Sequence, residues 1–319
     1  MAGYVITIIG GKGGQGKSQV AANLAFAYAQ EARTKVLLLD FDQKAGGDQA
    51  LITGIKQKKT VKELSDFGGA IDPRTIMQFV SGHPAGVSFC GMPSDSTNAA
   101  SVSAEGIGKT LKAITNIYAL TIIDTGSELS PLALKALEFS TVIFMVTTPD
   151  ILAVNQTRRL YSELVTLMFP KDMIQVLLNQ NVKGHPVTPE LVGKTVGKPI
   201  FSVIPKDDGT CIAALNKKTP VMVAQKASPF AKGMIDLARR IIQKNILKTL
   251  DKLNKPSDVG SKTTEKVSGG KSDNSWVGLK RRIHRSLVEE MDLKATDKDD
   301  PNAQIILKEQ TKKLVVELL

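Results

Sequence analysis

Eight residues near the start of the chain, Gly11-Lys12-Gly13-Gly14-Gln15-Gly16-Lys17-Ser18, restrict its fold more than any other stretch. They fit the pattern G-x-x-x-x-G-K-[ST], directly after the apolar run "YVITIIG" and directly before the helix-like "SQVAANLAFAYAQ". A turn of this kind works when a strand delivers the chain to it and a helix leaves from it. Its glycines let backbone N–H groups close around phosphate oxygens, and the helix N-terminus adds favourable partial charge. Lys17 is then expected on the β- and γ-phosphates and the Ser18 hydroxyl on magnesium.

The rest of the chain supplies the sheet such a loop needs. Short apolar runs ("KVLLLDFD", "GVSFCGM", "ALTIIDTG", "TVIFMVTT", "MIQVLLNQ", "PIFSVIP") alternate with helix-length segments. Continuous apolar strands separated by helices predict an α/β domain with a doubly wound, mostly parallel sheet covered on both faces. Ligands of open α/β sheets bind at the carboxyl ends of the strands. Asp40, Asp42 and Asp124 each close an apolar run at that edge. Residues Ser228 to Leu253 have apolar positions at helical spacing and are expected to form the closing helix.

Composition excludes several classes. Cys90 and Cys211 are the two cysteines, far apart and in no C-x-x-C pattern, so neither a disulfide framework nor a zinc site is expected. His83, His185 and His284 are scattered without ligand spacing. No apolar run approaches the roughly 18 residues of a membrane span, and "MAGYVITIIGG" lacks the features of a signal peptide, so a cytoplasmic location is expected. The net charge is +11, with 29 basic against 20 acidic residues before Asn254 and 13 against 11 from there on. The excess belongs mostly to the main domain and makes DNA, anionic lipid or an acidic protein face a candidate partner.

Three regions are expected: a nucleotide-binding domain over 1–253, a linker over 254–275, and a small helical module over 276–319. The linker is rich in Ser, Gly, Lys and Thr, the composition of a flexible tether. In the module, Leu279, Ile283, Leu287 and Met291 repeat every four residues, and Asp300-Pro301 suits the start of a second helix. About 44 residues is near the lower limit for independent folding, so this module is expected to dock on a partner.

The Lys12-Gly13-Gly14-Gln15-Gly16-Lys17-Ser18 stretch resembles the deviant Walker A motif of the MinD/ParA family of P-loop ATPases. The resemblance implies ATP/ADP and Mg2+ as cofactors and an ATP-dependent homodimer, in which Lys12 reaches the partner's nucleotide. It also implies nucleotide contacts from Gly11, Lys12, Gly13, Gly14, Gln15, Gly16, Lys17, Ser18 and Gln19. Magnesium contacts would come from Ser18, Asp40 and Asp124, with Asp42 positioning the attacking water and Lys12 and Lys17 acting with it in catalysis. Asn179 matches the adenine-reading asparagine, with Pro205 and Lys206 in the neighbouring loop. Gln15 and Gln19 stand where the family commonly has Val and Thr, and "DTGSELSP" lacks the proline-rich sequence that often follows the Walker B carboxylate.

A narrower resemblance, to the CpaE/TadZ branch, covers nearly all of the first 250 residues, through "DFDQKAGGDQALITG", "GHPAGVSFCGMPSD" and "PVMVAQKASPFAKGMIDLA". That branch helps to assemble and localise tight-adherence pili. "LKRRIHRSLVEEMDL" and "LKEQTKKLVVELL" are similar to the N-terminal helical region of CpaF/TadA secretion ATPases. Together these imply a slow, partner-stimulated ATPase that organises a pilus or secretion machine, recruited to the inner membrane or cell pole through partners. Two other readings stay open: a ParA-like partition ATPase binding nonspecific DNA, and a nucleotide-bound scaffold acting through its tail. A DNA-binding face would draw on Arg158, Arg159, Lys217, Lys218, Arg239, Arg240, Lys244 and Lys248.

Overall fold

A computed structural model describes residues 3–254. The expected linker, beyond Asn254 itself, and the expected helical module lie outside the described residues. Eight strands form one sheet: β1 (Tyr4–Ile9), β2 (Val36–Asp40), β3 (Ser81–Gly82), β4 (Val87–Cys90), β5 (Leu120–Asp124), β6 (Val142–Thr147), β7 (Ile174–Asn181) and β8 (Ile200–Pro205). Their spatial order is β3-β4-β2-β5-β1-β6-β7-β8. All neighbours are parallel except β3 and β4, so the doubly wound, mostly parallel architecture is as expected. The two-residue β3 was not expected, because among the described residues it pairs with β4 alone and it carries no apolar run of its own.

The strands read as unbroken apolar runs because helices cover both faces. In β1, Ile6 and Ile8 face a core shared with Phe26, Leu38 and Met234, while Val5 faces one shared with Leu37, Leu39 and Leu111. The long helices Lys17–Ala32 and Pro229–Gln243 lie against the first of these cores, and Ala104–Ile114 against the second. Successive connections run from β1 towards β4 on one side and from β5 across to β6 on the other. The phosphate loop therefore leaves β1 where the winding direction changes, the place where open α/β sheets leave a crevice.

The stretch Ser228–Leu253 is two helices rather than one, Pro229–Gln243 and Ile246–Asn254. Ser228 caps the first by accepting the Ala231 N–H at 3.1 Å. Asn245 separates them at φ +47°, a left-handed conformation that Asn tolerates better than most residues. Apolar spacing runs through the break because Leu247 and Leu250 return to the same core as Met234 and Leu237. Both cysteines are unpaired, and burial pushes their thiols up, that of Cys211 to about 11, as suits inert thiols. Among the described residues no helix is long and apolar enough to cross a membrane.

Candidate nucleotide site

The loop after β1 is pre-shaped by its own side chains. Gly16 caps the helix Lys17–Ala32 at φ +78°, and a Cβ there would lie 2.5 Å from the Asn179 Nδ2, so both conformation and space require glycine. The Lys17 ammonium donates to the Lys12 carbonyl at 3.0 Å, closing the loop on itself. Gln15, buried behind the loop, accepts the Lys12 N–H at 3.1 Å through Oε1. Gln19 Oε1 accepts from Asn23 at 3.1 Å one turn further on. The two glutamines that depart from the family pattern thus brace the loop and its helix.

The two lysines differ in setting. Lys17 is 6% exposed, and burial lowers its pKa against the opposing pull of Asp124 and Asp42. Lys12 is exposed at the loop's tip, and its ammonium makes no ion pair among the described residues. Its charge is nevertheless felt by Asp150, where burial is outweighed by the Thr148 hydroxyl, the Ala153 N–H and Lys12, and the carboxyl stays below its ordinary range.

Strand register sets Asp40 beside Asp124 at the carboxyl ends of β2 and β5. Asp40 is 1% exposed; its Oδ1 accepts the Asp42 N–H at 3.0 Å, and its Oδ2 is buried without a partner. Burial, then the neighbouring Asp124 charge, holds its pKa well above the carboxylate range. Asp124 is fully buried, and burial raises its pKa while hydrogen bonds from Ser18 and Gln49 oppose the rise. Asp42 is half-buried, with Oδ1 accepting the Lys44 and Ala45 N–H groups at 3.0 and 3.2 Å. A Cβ on Gly126, at φ +72°, would lie 2.5 Å from the Asp42 carboxylate, so the turn after β5 is glycine where Asp42 crosses it.

A cavity of about 420 Å3 opens between these elements. Gly13, Gly14, Gly16, Lys17, Ser18 and Gln19 line one wall, Phe41 to Ala45 with Asp48 another, and Thr125, Ser127, Glu128 and Ser130 the third. Lys44 and Glu128 form an ion pair that bridges the second and third walls. Gly11, Lys12 and Gln15 stand outside the lining, as do Asn179, Pro205 and Lys206, and the expected magnesium ligands Asp40 and Asp124 are buried outside it as well. Asn179 is 3% exposed and donates to the Gln15 carbonyl at 2.9 Å, an intramolecular task that the sequence did not suggest. Lys206 pairs with Asp208 at 3.2 Å, and its N–H donates to the Asn181 carbonyl at 3.0 Å.

Sequence reasoning also missed Gln49. From the helix Asp48–Thr53, its buried amide donates to the Ser18 carbonyl at 3.0 Å and to Asp124 Oδ2 at 2.8 Å. Its one legible signal is a polar residue directly before the apolar "ALI". Some cations of the alternative DNA face have partners within the chain. Arg239 is paired with Glu31 at 2.7 Å, Arg240 lies over the Phe201 ring at 4.6 Å, and Arg158 donates to Asn155 Oδ1 at 3.1 Å.

A glycine-rich loop between the central strand and its helix, a buried lysine that lines the cavity with Asp42, and the buried strand-end pair Asp40 and Asp124 define a P-loop nucleotide-binding domain. A family model described as the CobQ/CobB/MinD/ParA nucleotide binding domain matches residues 6–221, and the chain belongs to this family. It is an ATPase of the MinD/ParA type. The septum site-determining protein MinD of Thermotoga maritima is 26% identical over 245 residues, covering 75% of this chain and 88% of that protein. Among solved structures, a ParA family ATPase from Chlorobium tepidum superposes with a TM-score of 0.70 at 23% identity, covering 74% of this chain and 98% of that one. MinD from Pyrococcus horikoshii, solved with Mg-ADP, gives a TM-score of 0.65 at 22% identity, covering 76% and 97%.

Proposed function

We propose that this ATPase is a nucleotide-switched homodimer of the CpaE/TadZ type that localises or assembles a pilus or secretion machine, with ATP closing the dimer and hydrolysis reopening it. The observation that carries the switch is the contrast between Lys17, buried and tied to its own loop, and Lys12, exposed at the tip and in no ion pair among the described residues. Lys17 serves the phosphates of its own subunit. Lys12 lies outside the cavity lining and serves the phosphates of a second copy, where added positive charge stabilises the transition state.

The residues present fit magnesium. Asp40 Oδ2 is a buried oxygen in want of a partner, Asp124 stands beside it, and the Ser18 hydroxyl bonds Asp124, an all-oxygen donor set suited to a hard cation. Among the described residues no three His, Cys, Asp or Glu side chains could hold a metal unaided, so phosphate oxygens would complete the set. Bound there, the ion would neutralise charge on the β- and γ-phosphates. Asp42 positions the attacking water. The water oxygen bonds the γ-phosphorus as the β–γ bridging bond breaks, ADP leaves, and the water's proton ends on inorganic phosphate. The Asp42 Oδ1 is held by two N–H groups of its own loop, which fixes the carboxylate and leaves Oδ2 to take the water.

The pilus role rests on the stretches that resemble the CpaE/TadZ branch, and the docking role on the resemblance of residues 276–319 to CpaF/TadA secretion ATPases. Purified chain should turn over ATP slowly and faster with the cognate secretion ATPase, and Lys17→Ala should abolish turnover. Turnover unaffected by Lys17→Ala would remove the catalytic assignment. Stimulation by DNA instead of the secretion ATPase, with binding that weakens steeply in salt, would move the chain to the partition class.

A further inference from the structure

Gln49 lies outside the phosphate loop and is not among the residues expected to touch nucleotide or metal, yet it touches two residues of the magnesium set, the Asp124 carboxylate directly and Ser18 through its backbone carbonyl. Its Nε2 has two protons and uses both, one on the Ser18 carbonyl and one on Asp124 Oδ2. Both partners are acceptors, so only the NH2 end of the amide can face them, and the orientation of the side chain is fixed by chemistry. The residue is 1% exposed, and its Oε1 is buried without a partner. A buried amide that leaves its own carbonyl unsatisfied keeps that position against a cost, since an unpaired buried acceptor is unfavourable.

We propose that Gln49 is a positioning residue for Mg2+. It pins the Asp124 carboxylate by one oxygen, fixes the first turn of the helix Lys17–Ala32 through Ser18, and ties both to the helix Asp48–Thr53. That helix follows the Asp42 loop directly, so the tie makes magnesium affinity depend on where the loop sits. Partners that orient a metal's ligands without touching the metal commonly set affinity by about 10–100-fold. The inference rests on reading Ser18, Asp40 and Asp124 as the magnesium ligands.

The test measures ADP binding to the whole chain by calorimetry, in EDTA and across a Mg2+ titration, for wild type and Gln49→Met. Methionine matches the shape, removes the orphaned carbonyl and removes both donors. In EDTA the two proteins should bind ADP within about twofold of each other, while the Mg2+ midpoint for tightened binding should rise about tenfold in the variant. Gln49→Asn, which keeps an amide on a shorter stem, should fall between them, and it decides the matter if Gln49→Met does not fold. Equal Mg2+ midpoints in wild type and variants would overturn the proposal. So would an equal loss of ADP affinity with and without Mg2+, which is what a merely structural residue would show. A wild type whose ADP affinity ignores Mg2+ altogether would instead overturn the ligand assignment beneath it.

Discussion

Asp40 shows at the scale of one residue what this site gives up in stability. Its carboxylate is buried beside Asp124 with one oxygen unsatisfied. A carboxyl whose folded pKa is raised takes up a proton more readily folded than unfolded, so the apo protein loses stability as pH rises from the ordinary carboxylate range through the raised value. Asp40→Asn should therefore raise the apo melting temperature at neutral pH, by the equivalent of about 0.5–2 kcal/mol, and flatten its pH dependence. The same variant should weaken Mg2+-dependent nucleotide binding. Calorimetric unfolding across pH, with and without Mg-ADP, checks both. Asn179 sits on the opposite side of the balance: Asn179→Ala leaves the buried Gln15 carbonyl without its donor, which costs about 1–3 kcal/mol. Nucleotide affinity should fall with it, although Asn179 lies outside the cavity lining.

Elements carry the geometry these residues need. The segments that follow β1, β2 and β5 meet in a single cavity because these strands run parallel and finish at the same edge. That much was legible: each of Asp40, Asp42 and Asp124 closes an apolar run, and the phosphate loop follows another. Gly126 and Gln49 were not legible as site residues, since their partners lie 84 and 75 positions away in the chain and only the folded sheet brings them together. The break at Asn245 was hidden because buried residues on both sides of it keep helical spacing. Gly126→Ala tests the turn directly. Its methyl would press on the Asp42 carboxylate, so kcat should fall about tenfold or more while ADP binding holds. Steady-state kinetics beside a binding isotherm separates the two.

At the scale of the molecule, the account turns on what covers the exposed side of the phosphate loop. Ile151 and Leu152 are 79% and 64% exposed at the start of the helix Ile151–Thr166, whose cap Asp150 feels the Lys12 charge. Apolar side chains so exposed beside a catalytic loop suit burial by a second copy, and Ile151→Asp with Leu152→Asp should weaken the ATP-bound dimer while leaving the monomer's melting temperature within about 2 °C. The most direct measurement is solution mass by light scattering for wild type, Asp42→Ala and Lys12→Ala, each with Mg-ATP and with Mg-ADP. Wild type should be dimeric in ATP and monomeric in ADP, Asp42→Ala should persist as an ATP-bound dimer, and Lys12→Ala should stay monomeric. A wild type that remains monomeric while hydrolysing ATP, or a Lys12→Ala variant that dimerises and turns over normally, would contradict the account.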